Sequence, residues 1–166
     1  VTFLVSQLQS CTGLKVPVAH ELLSGRKIIL TSGRNHDHDE SYTIEVNENS
    51  VEIHGVSDCA LFRGITTFIQ MVRSTGSLIP CCRISDSPDF HIRGFLHDTT
   101  RGKVPTCDSL KEIALQCAFY KINHLQLYIE HSFAFSMVPE FSVDSDPLTS
   151  EDILELDEFC RKHYIE

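Results

Sequence analysis

The chain has no tryptophan and only two methionines in 166 residues. No apolar run approaches the roughly 20 residues that a membrane-spanning helix needs, and no basic-then-apolar signal segment opens the chain. Asn-x-Ser/Thr acceptors are lacking, so nothing points to a glycosylated secreted protein. Basic residues are outnumbered: 14 Lys and Arg face 23 Asp and Glu, for a net charge of −9. That balance argues against nucleic acid or an anionic membrane as a partner. The seven cysteines are odd in number, and no pair has the spacing of a metal site or a redox motif. They read as small buried or surface thiols, which leans toward a reducing compartment. The first residue is valine, so a processed or excised piece is expected.

What is present is ordinary globular composition, 42% hydrophobic and 22% charged, enough for one domain or two small ones. Residues 2–12 predict a short helix with Phe3, Leu4 and Leu8 on one side and Gly13 as its C-cap. A strand is expected over Lys27 to Thr31. The following loop carries His36, Asp37, His38 and Asp39, which could ligate a metal. Alternating neighbours in a polar loop point to opposite sides, and the spacing of a fourth ligand is missing, so a solvated loop is the better reading.

SYTIEV and VEIHGV alternate with period two around NENS, a hairpin pattern. Tyr42, Ile44 and Val46 share one face, and Val51, Ile53 and Gly55 share another. SDCALFRGITTFIQMVRSTG predicts an amphipathic helix, with Ser57 as N-cap, Asp58 in the first turn and Gly76 at its end. Its apolar stripe is Leu61, Ile65, Phe68 and Val72. Arg63 and Arg73 are expected to be solvated or paired. SLIPCCRI is a last strand, giving a small α+β layer in which a helix covers a sheet.

SDSPD (residues 85–89) reads as a turn-rich boundary. FHIRGFLH (90–97) follows as a buried strand, then DTTRGKVP as a polar loop. A helix over about Asp108 to Tyr120 comes next, packing through Leu110, Ile113, Ala114 and Cys117. KINHLQLYIE is a second strand. In it Ile122, His124, Gln126, Tyr128 and Glu130 alternate with Asn123, Leu125, Leu127, Ile129 and His131. A long loop with Phe133, Phe135 and Phe141 suits a packed lid or a sugar-facing wall. A second helix opens on a capping box of Thr149 and Asp152. Strand–helix–strand–helix order implies a parallel sheet with its chemistry in the loops after the strands. Arg93 shares an alternating face with Phe95 and His97. It is either half of an internal ion pair or a ligand-facing arginine at the bottom of a pocket.

The stretch DSPDFHIRGFLHDTTRGKVP followed by LKEIALQCAFYKINHLQLYIE resembles the opening of the catalytic domain of family 20 glycoside hydrolases, the β-N-acetylhexosaminidases. The matching positions are Asp86, Pro88, Phe90, Arg93, Gly94, Asp98, Arg101, Lys121, Asn123 and Leu125. Tyr42, Ile44, Val46, Val51, Ile53, Gly64, Thr67 and Gln70 resemble the α+β domain that precedes the barrel in that family. The resemblance implies an α+β support domain over 1–88. It also implies the first βα units of a catalytic (β/α)8 TIM barrel over 89–166, cut near its third strand.

It further implies substrate-assisted retaining hydrolysis of terminal N-acetylhexosamine. A glycan is the implied partner, and neither cofactor nor metal is called for. The family's catalytic Asp-Glu pair follows its fourth strand and is expected beyond Glu166, so this chain alone should be inactive. Arg93 matches the arginine that grips sugar hydroxyls, and Asp98 and Arg101 match the next loop, as an ion pair or a pocket rim. Glu130 and His131 keep polar groups where the family commonly has Thr-Asp, and Phe135 stands where it has tryptophan. These assign substrate contact to Arg93, Asp98, Glu130 and His131. A family 84 hydrolase is an alternative, but FLHDTT after Arg93-Gly94 departs from that family's pattern. A carbohydrate-binding or scaffolding module is the other. Phe95, Gln126 and Tyr128 are expected to face inward without an opposite wall, and the second strand's flank at Leu125 and Leu127 without a full neighbour. An open edge of that kind favours self-association.

Overall fold

The computed structural model describes residues 1–21, 24–34, 39–76, 78–141 and 146–166. His36, Asp37 and His38, Ser77, and residues 142–145 of the aromatic loop therefore lie outside the described residues. The chain divides into two compact units, Val1–His91 and Ile92–Glu166. It is a mixed α+β structure, as its sequence suggests.

The first unit is a four-stranded sheet covered by helices. Helix α1 spans Thr2–Thr12 and ends on Gly13, whose φ of 73° is left-handed. Strands β1 (Lys27–Ser32), β2 (Tyr42–Val46), β3 (Ser50–Gly55) and β4 (Cys82–Asp86) lie in the order β1-β3-β2-β4. The β2–β3 hairpin is antiparallel, β1 joins β3 in parallel, and β4 joins β2 antiparallel. Period-two alternation buries Tyr42, Ile44, Val46, Ile53 and Gly55 on one face.

Helix α2 (Asp58–Thr75) lies on that face. The Ser57 hydroxyl accepts the Ala60 N–H, as an N-cap should. Its buried arc is wider than the expected stripe: Phe62 and Ile69 are buried too, while Leu61 is only half-buried. The cause is α1, which packs on another flank of α2 and sets Phe3 against Phe62 at 5.0 Å. Arg73 is exposed and donates to Gln7. Arg63 is buried, not solvated, and its Nε sits 2.5 Å from Glu40 Oε2.

The boundary begins later than the turn residues suggest. Ser85 and Asp86 belong to β4. An aspartate is tolerated there because the Tyr42 hydroxyl donates to its carboxylate at 2.5 Å and also meets Thr67 Oγ1 at 2.7 Å.

The second unit pairs β5 (Gly94–Asp98) with β6 (His124–Tyr128) in parallel, joined through α3 (Cys107–Phe119). A short 3-10 turn at Pro139–Phe141 precedes α4 (Ser150–Lys162), which packs on α3. Thr149 and Asp152 form the expected capping box. The strand read over 90–97 is shorter and not buried. Phe90 and Ile92 are 73% and 74% exposed, and Arg93 precedes β5 instead of lying inside it. Apolar alternation shows which residues share a face but not whether anything covers it.

The register sets Phe95 beside Leu125 and His97 beside Leu127, with Leu96 beside Gln126 and Asp98 beside Tyr128. Phe95 is therefore on the face opposite Gln126 and Tyr128, not with them. On the other flank of β6, the Glu166 N–H donates to Asn123 O, and the Glu166 carbonyl accepts the Leu125 N–H. That is a parallel bridge opposite His124.

Both helices of this unit close with the same turn. Ile122 N–H reaches back to Cys117 O, and Ile165 N–H to Cys160 O; Lys121 and Tyr164 between them are left-handed, with φ of 59° and 56°. This is the Schellman closure, with a side chain where glycine is usual. Cys117 and Cys160 are buried beneath the two turns, and burial pushes the Cys160 thiol up to about 11. They pack as small apolar groups.

Left-handed backbone is unfavourable for a residue with a Cβ, by roughly 1–2 kcal/mol, partly offset by glycine's greater unfolded-state freedom. Lys121→Gly and Tyr164→Gly should each stabilise the unit by roughly 0.5–1 kcal/mol. Urea denaturation beside the matching alanine variants checks this. A glycine no better than alanine would show that backbone conformation is not the cause.

Candidate functional site

In a parallel βα unit the loops after the strands converge at the C-terminal strand ends. Here β5 ends on Asp98 and β6 on Tyr128, side by side in register. The chain after Asp98 turns sharply because its Oδ1 accepts the N–H of Thr100 at 2.9 Å and of Arg101 at 3.1 Å. Its Oδ2 meets Arg101 Nε at 2.9 Å. The Thr100 amide, then the Arg101 amide and guanidinium, hold the Asp98 carboxyl below the usual carboxylate range. The ion pair expected between Asp98 and Arg101 is thus present.

Arg101 also lies over the Tyr128 ring, Cζ to centroid 5.0 Å. The Tyr128 hydroxyl donates to Glu130 Oε1 at 2.5 Å. That bond, with the carboxylate's charge, pushes the phenol above its ordinary range, and Arg101 opposes the shift. Glu130 N–H donates to Thr100 Oγ1 at 3.0 Å. Beneath this surface, Thr99 and Ser132 are fully buried. The Thr99 hydroxyl donates to Tyr128 O and meets Ser132 Oγ, each at 2.9 Å. Ser132 O accepts Leu148 N–H, and Leu148 O accepts Ala134 N–H, which ties the long loop back on itself. His131 is half-buried in the same turn. Farther out, Phe133, Phe135 and Phe141 stack edge-on, with centroids 4.9 and 6.5 Å apart.

Asp98, Glu130 and His131 therefore gather at the C-terminal strand ends, while Arg93 does not join them. It lies one residue before β5, about 16 Å along the strand direction from Asp98 at about 3.3 Å per residue. Its Nε donates to Lys121 O at 2.7 Å, and its own N–H donates to Asn123 Oδ1 at 2.8 Å. Tyr128 is the site residue that motif reasoning missed. Its signal was available: it alternates with Glu130 on one face of KINHLQLYIE. Among the described residues, no group of three or more His, Cys, Asp or Glu side chains is placed to hold a metal. The cluster offers carboxylate acceptors, a guanidinium and a phenol within two adjoining loops. Such a set suits a hydroxyl-rich neutral ligand.

The family model described as glycosyl hydrolase family 20, domain 2, matches residues 1–87. The β-N-acetylhexosaminidase of Cellulomonas fimi is 36% identical over 94 residues, 55% of this chain and 19% of that protein. The human β-hexosaminidase subunit beta is 37% identical over 111 residues, 63% of this chain and 20% of that one. The chain thus spans about a fifth of the length of these curated relatives. The Streptomyces coelicolor family 20 β-N-acetylhexosaminidase structure aligns with 99% of this chain and 37% of its own. Its TM-score is 0.83 at 22% identity, a likeness of fold. With more than half of its length matched by the family model, the chain belongs to glycoside hydrolase family 20.

Proposed function

We propose that this chain serves a β-N-acetylhexosaminidase that removes terminal N-acetylhexosamine from glycans by substrate-assisted retaining hydrolysis. Residues 1–88 would be the support domain, and residues 89–166 the first βα units of a catalytic (β/α)8 barrel. The observation that carries this reading is the polar cluster at the C-terminal ends of two parallel strands, in a chain of family 20. That end of a βα barrel is where such folds place their chemistry. In this reaction the substrate's own acetamido oxygen attacks the anomeric carbon while an acid protonates the departing oxygen, and water then opens the cyclic intermediate. This chain's part is binding. Asp98, Glu130 and His131 form a rim at the C-terminal strand ends; Arg93, before the start of β5, takes its sugar contact from the family resemblance. The Lys121 carbonyl holds the Arg93 Nε and so fixes the plane of its guanidinium, a fork that suits vicinal hydroxyls.

Arg93→Lys, made in the complete enzyme, should lower kcat/KM on a chromogenic N-acetylglucosaminide by about 10- to 100-fold, since lysine cannot reproduce paired contacts. Circular dichroism should show the fold retained. Unchanged kinetics would make Arg93 a structural residue and remove its sugar contact. The 166-residue chain itself should give no turnover in the same assay, because no residue in it is assigned as the acid.

A further inference from the structure

The geometry points to Tyr128 as a positioning residue: its hydroxyl fixes the Glu130 carboxylate at the mouth of the β5–β6 pair, ready to accept a hydroxyl of the sugar. This rests on the glycan reading above and names a device within that site.

A glutamate in an exposed turn normally samples many rotamers and gives up that freedom on binding. Glu130 is tied at two points instead. Its amide N–H is held by Thr100 Oγ1 and its Oε1 by the Tyr128 hydroxyl. The phenol is steadied in turn. Its ring lies under the Arg101 guanidinium, Arg101 is paired with Asp98, and Asp98 is pinned by the Thr100 and Arg101 amides. Four side chains, from two strand ends and the loops after them, thus form one connected path ending on a carboxylate. The phenol occupies Oε1 and leaves Oε2 to accept from an incoming donor. A sugar hydroxyl is such a donor, and a neutral ring tolerates the neighbouring Asp98 charge because Arg101 already neutralises it. The Tyr128 ring is more than a third exposed. A bond so placed adds little to folding, which favours a role toward a ligand.

Two measurements on the complete enzyme test this. Tyr128→Phe keeps the ring and its contact with Arg101 and removes only the hydroxyl. KM for a chromogenic N-acetylglucosaminide should rise about 10-fold, with kcat changed less than about 3-fold and the thermal midpoint unmoved. Glu130→Gln should raise KM by a similar factor, and adding Tyr128→Phe to it should change KM less than about 2-fold further. Additive effects, or an unchanged KM in Tyr128→Phe, would overturn the assignment.

The second measurement needs no turnover. The ultraviolet titration of Tyr128 is isolated from the other tyrosines by subtracting the Tyr128→Phe variant. The groups facing the phenol are Glu130, Arg101 and Asp98. Glu130→Gln should lower the phenol's midpoint. If the midpoint stays where it was, the contact is not made in solution and the assignment fails whatever the substrate. A wild-type enzyme inactive on N-acetylhexosaminides but with a phenol still coupled to Glu130 would overturn the glycan reading and the ligand named here, leaving the contact itself standing.

Discussion

Gly55→Ala is expected to cost the first unit on the order of 3 kcal/mol, the upper end for overpacking, and to lower its thermal midpoint by roughly 15 °C. The backbone at Gly55 is not left-handed, so the cause is space. A Cβ there would lie 2.1 Å from Leu61 N and 2.6 Å from Leu61 Cα. Those are backbone atoms in the first turns of α2, and no rotamer change can move them. The helix would have to lift from β3 at the point where the sheet hands the chain to it. Gly94→Ala is the control: its Cβ would meet nothing closer than 3.7 Å, and its effect should stay within about 0.5 kcal/mol. Calorimetry on both variants decides the matter. A Gly55→Ala protein as stable as the Gly94→Ala one would mean that α2 is free to shift.

The second large effect is expected at Glu40. The Arg63–Glu40 pair is almost wholly out of water, with side chains 2% and 8% exposed. Glu40→Ala would leave a buried guanidinium without its counter-charge, at a cost of about 3–5 kcal/mol. Replacing both partners, Glu40→Leu with Arg63→Met, should recover most of that loss, since an apolar pair of similar volume avoids desolvating either ion. Urea midpoints of the single and double variants distinguish the cases. A double variant as unstable as the single one would show that the pair organises the core rather than merely neutralising itself.

These two sites mark where sequence reasoning reaches its limit. The hairpin, α2 and α4 were legible because their signals are local: Ser57 three residues before the N–H it caps, Tyr42, Ile44 and Val46 alternating, Thr149 facing Asp152 across one turn. Arg63 was not. Its burial is set by Glu40, 23 residues away in sequence, and nothing in SDCALFRGIT distinguishes a buried arginine from a surface one. The same holds for 90–97, whose alternation suggested a buried strand. Strand length is fixed by pairing with β6, and the register also separated Phe95 from Gln126. Asp98, Glu130 and His131 were named from a motif and its departures, and the fold sets them at the same strand ends. Tyr128 needed the register, because only pairing brings Arg101 from one loop over a ring at the end of the other strand.

The repeated turn that closes α3 and α4 has a consequence for how this chain can change over time. Beyond the two helices, Cys117-to-Ile122 and Cys160-to-Ile165 are steps of identical length that share the same two closing hydrogen bonds. On the outward path the two connections differ greatly: one runs from Asp98 to the cap of α3 at Thr106, the other from Tyr128 to the cap of α4 at Thr149. Insertions and deletions are thus channelled to one rim of the unit, while the opposite rim keeps a constant gauge. A lineage could lengthen, shorten or re-aim the Phe133–Phe141 excursion without altering the turn that closes α4. Change at the rim after the strands is decoupled from inheritance of the frame.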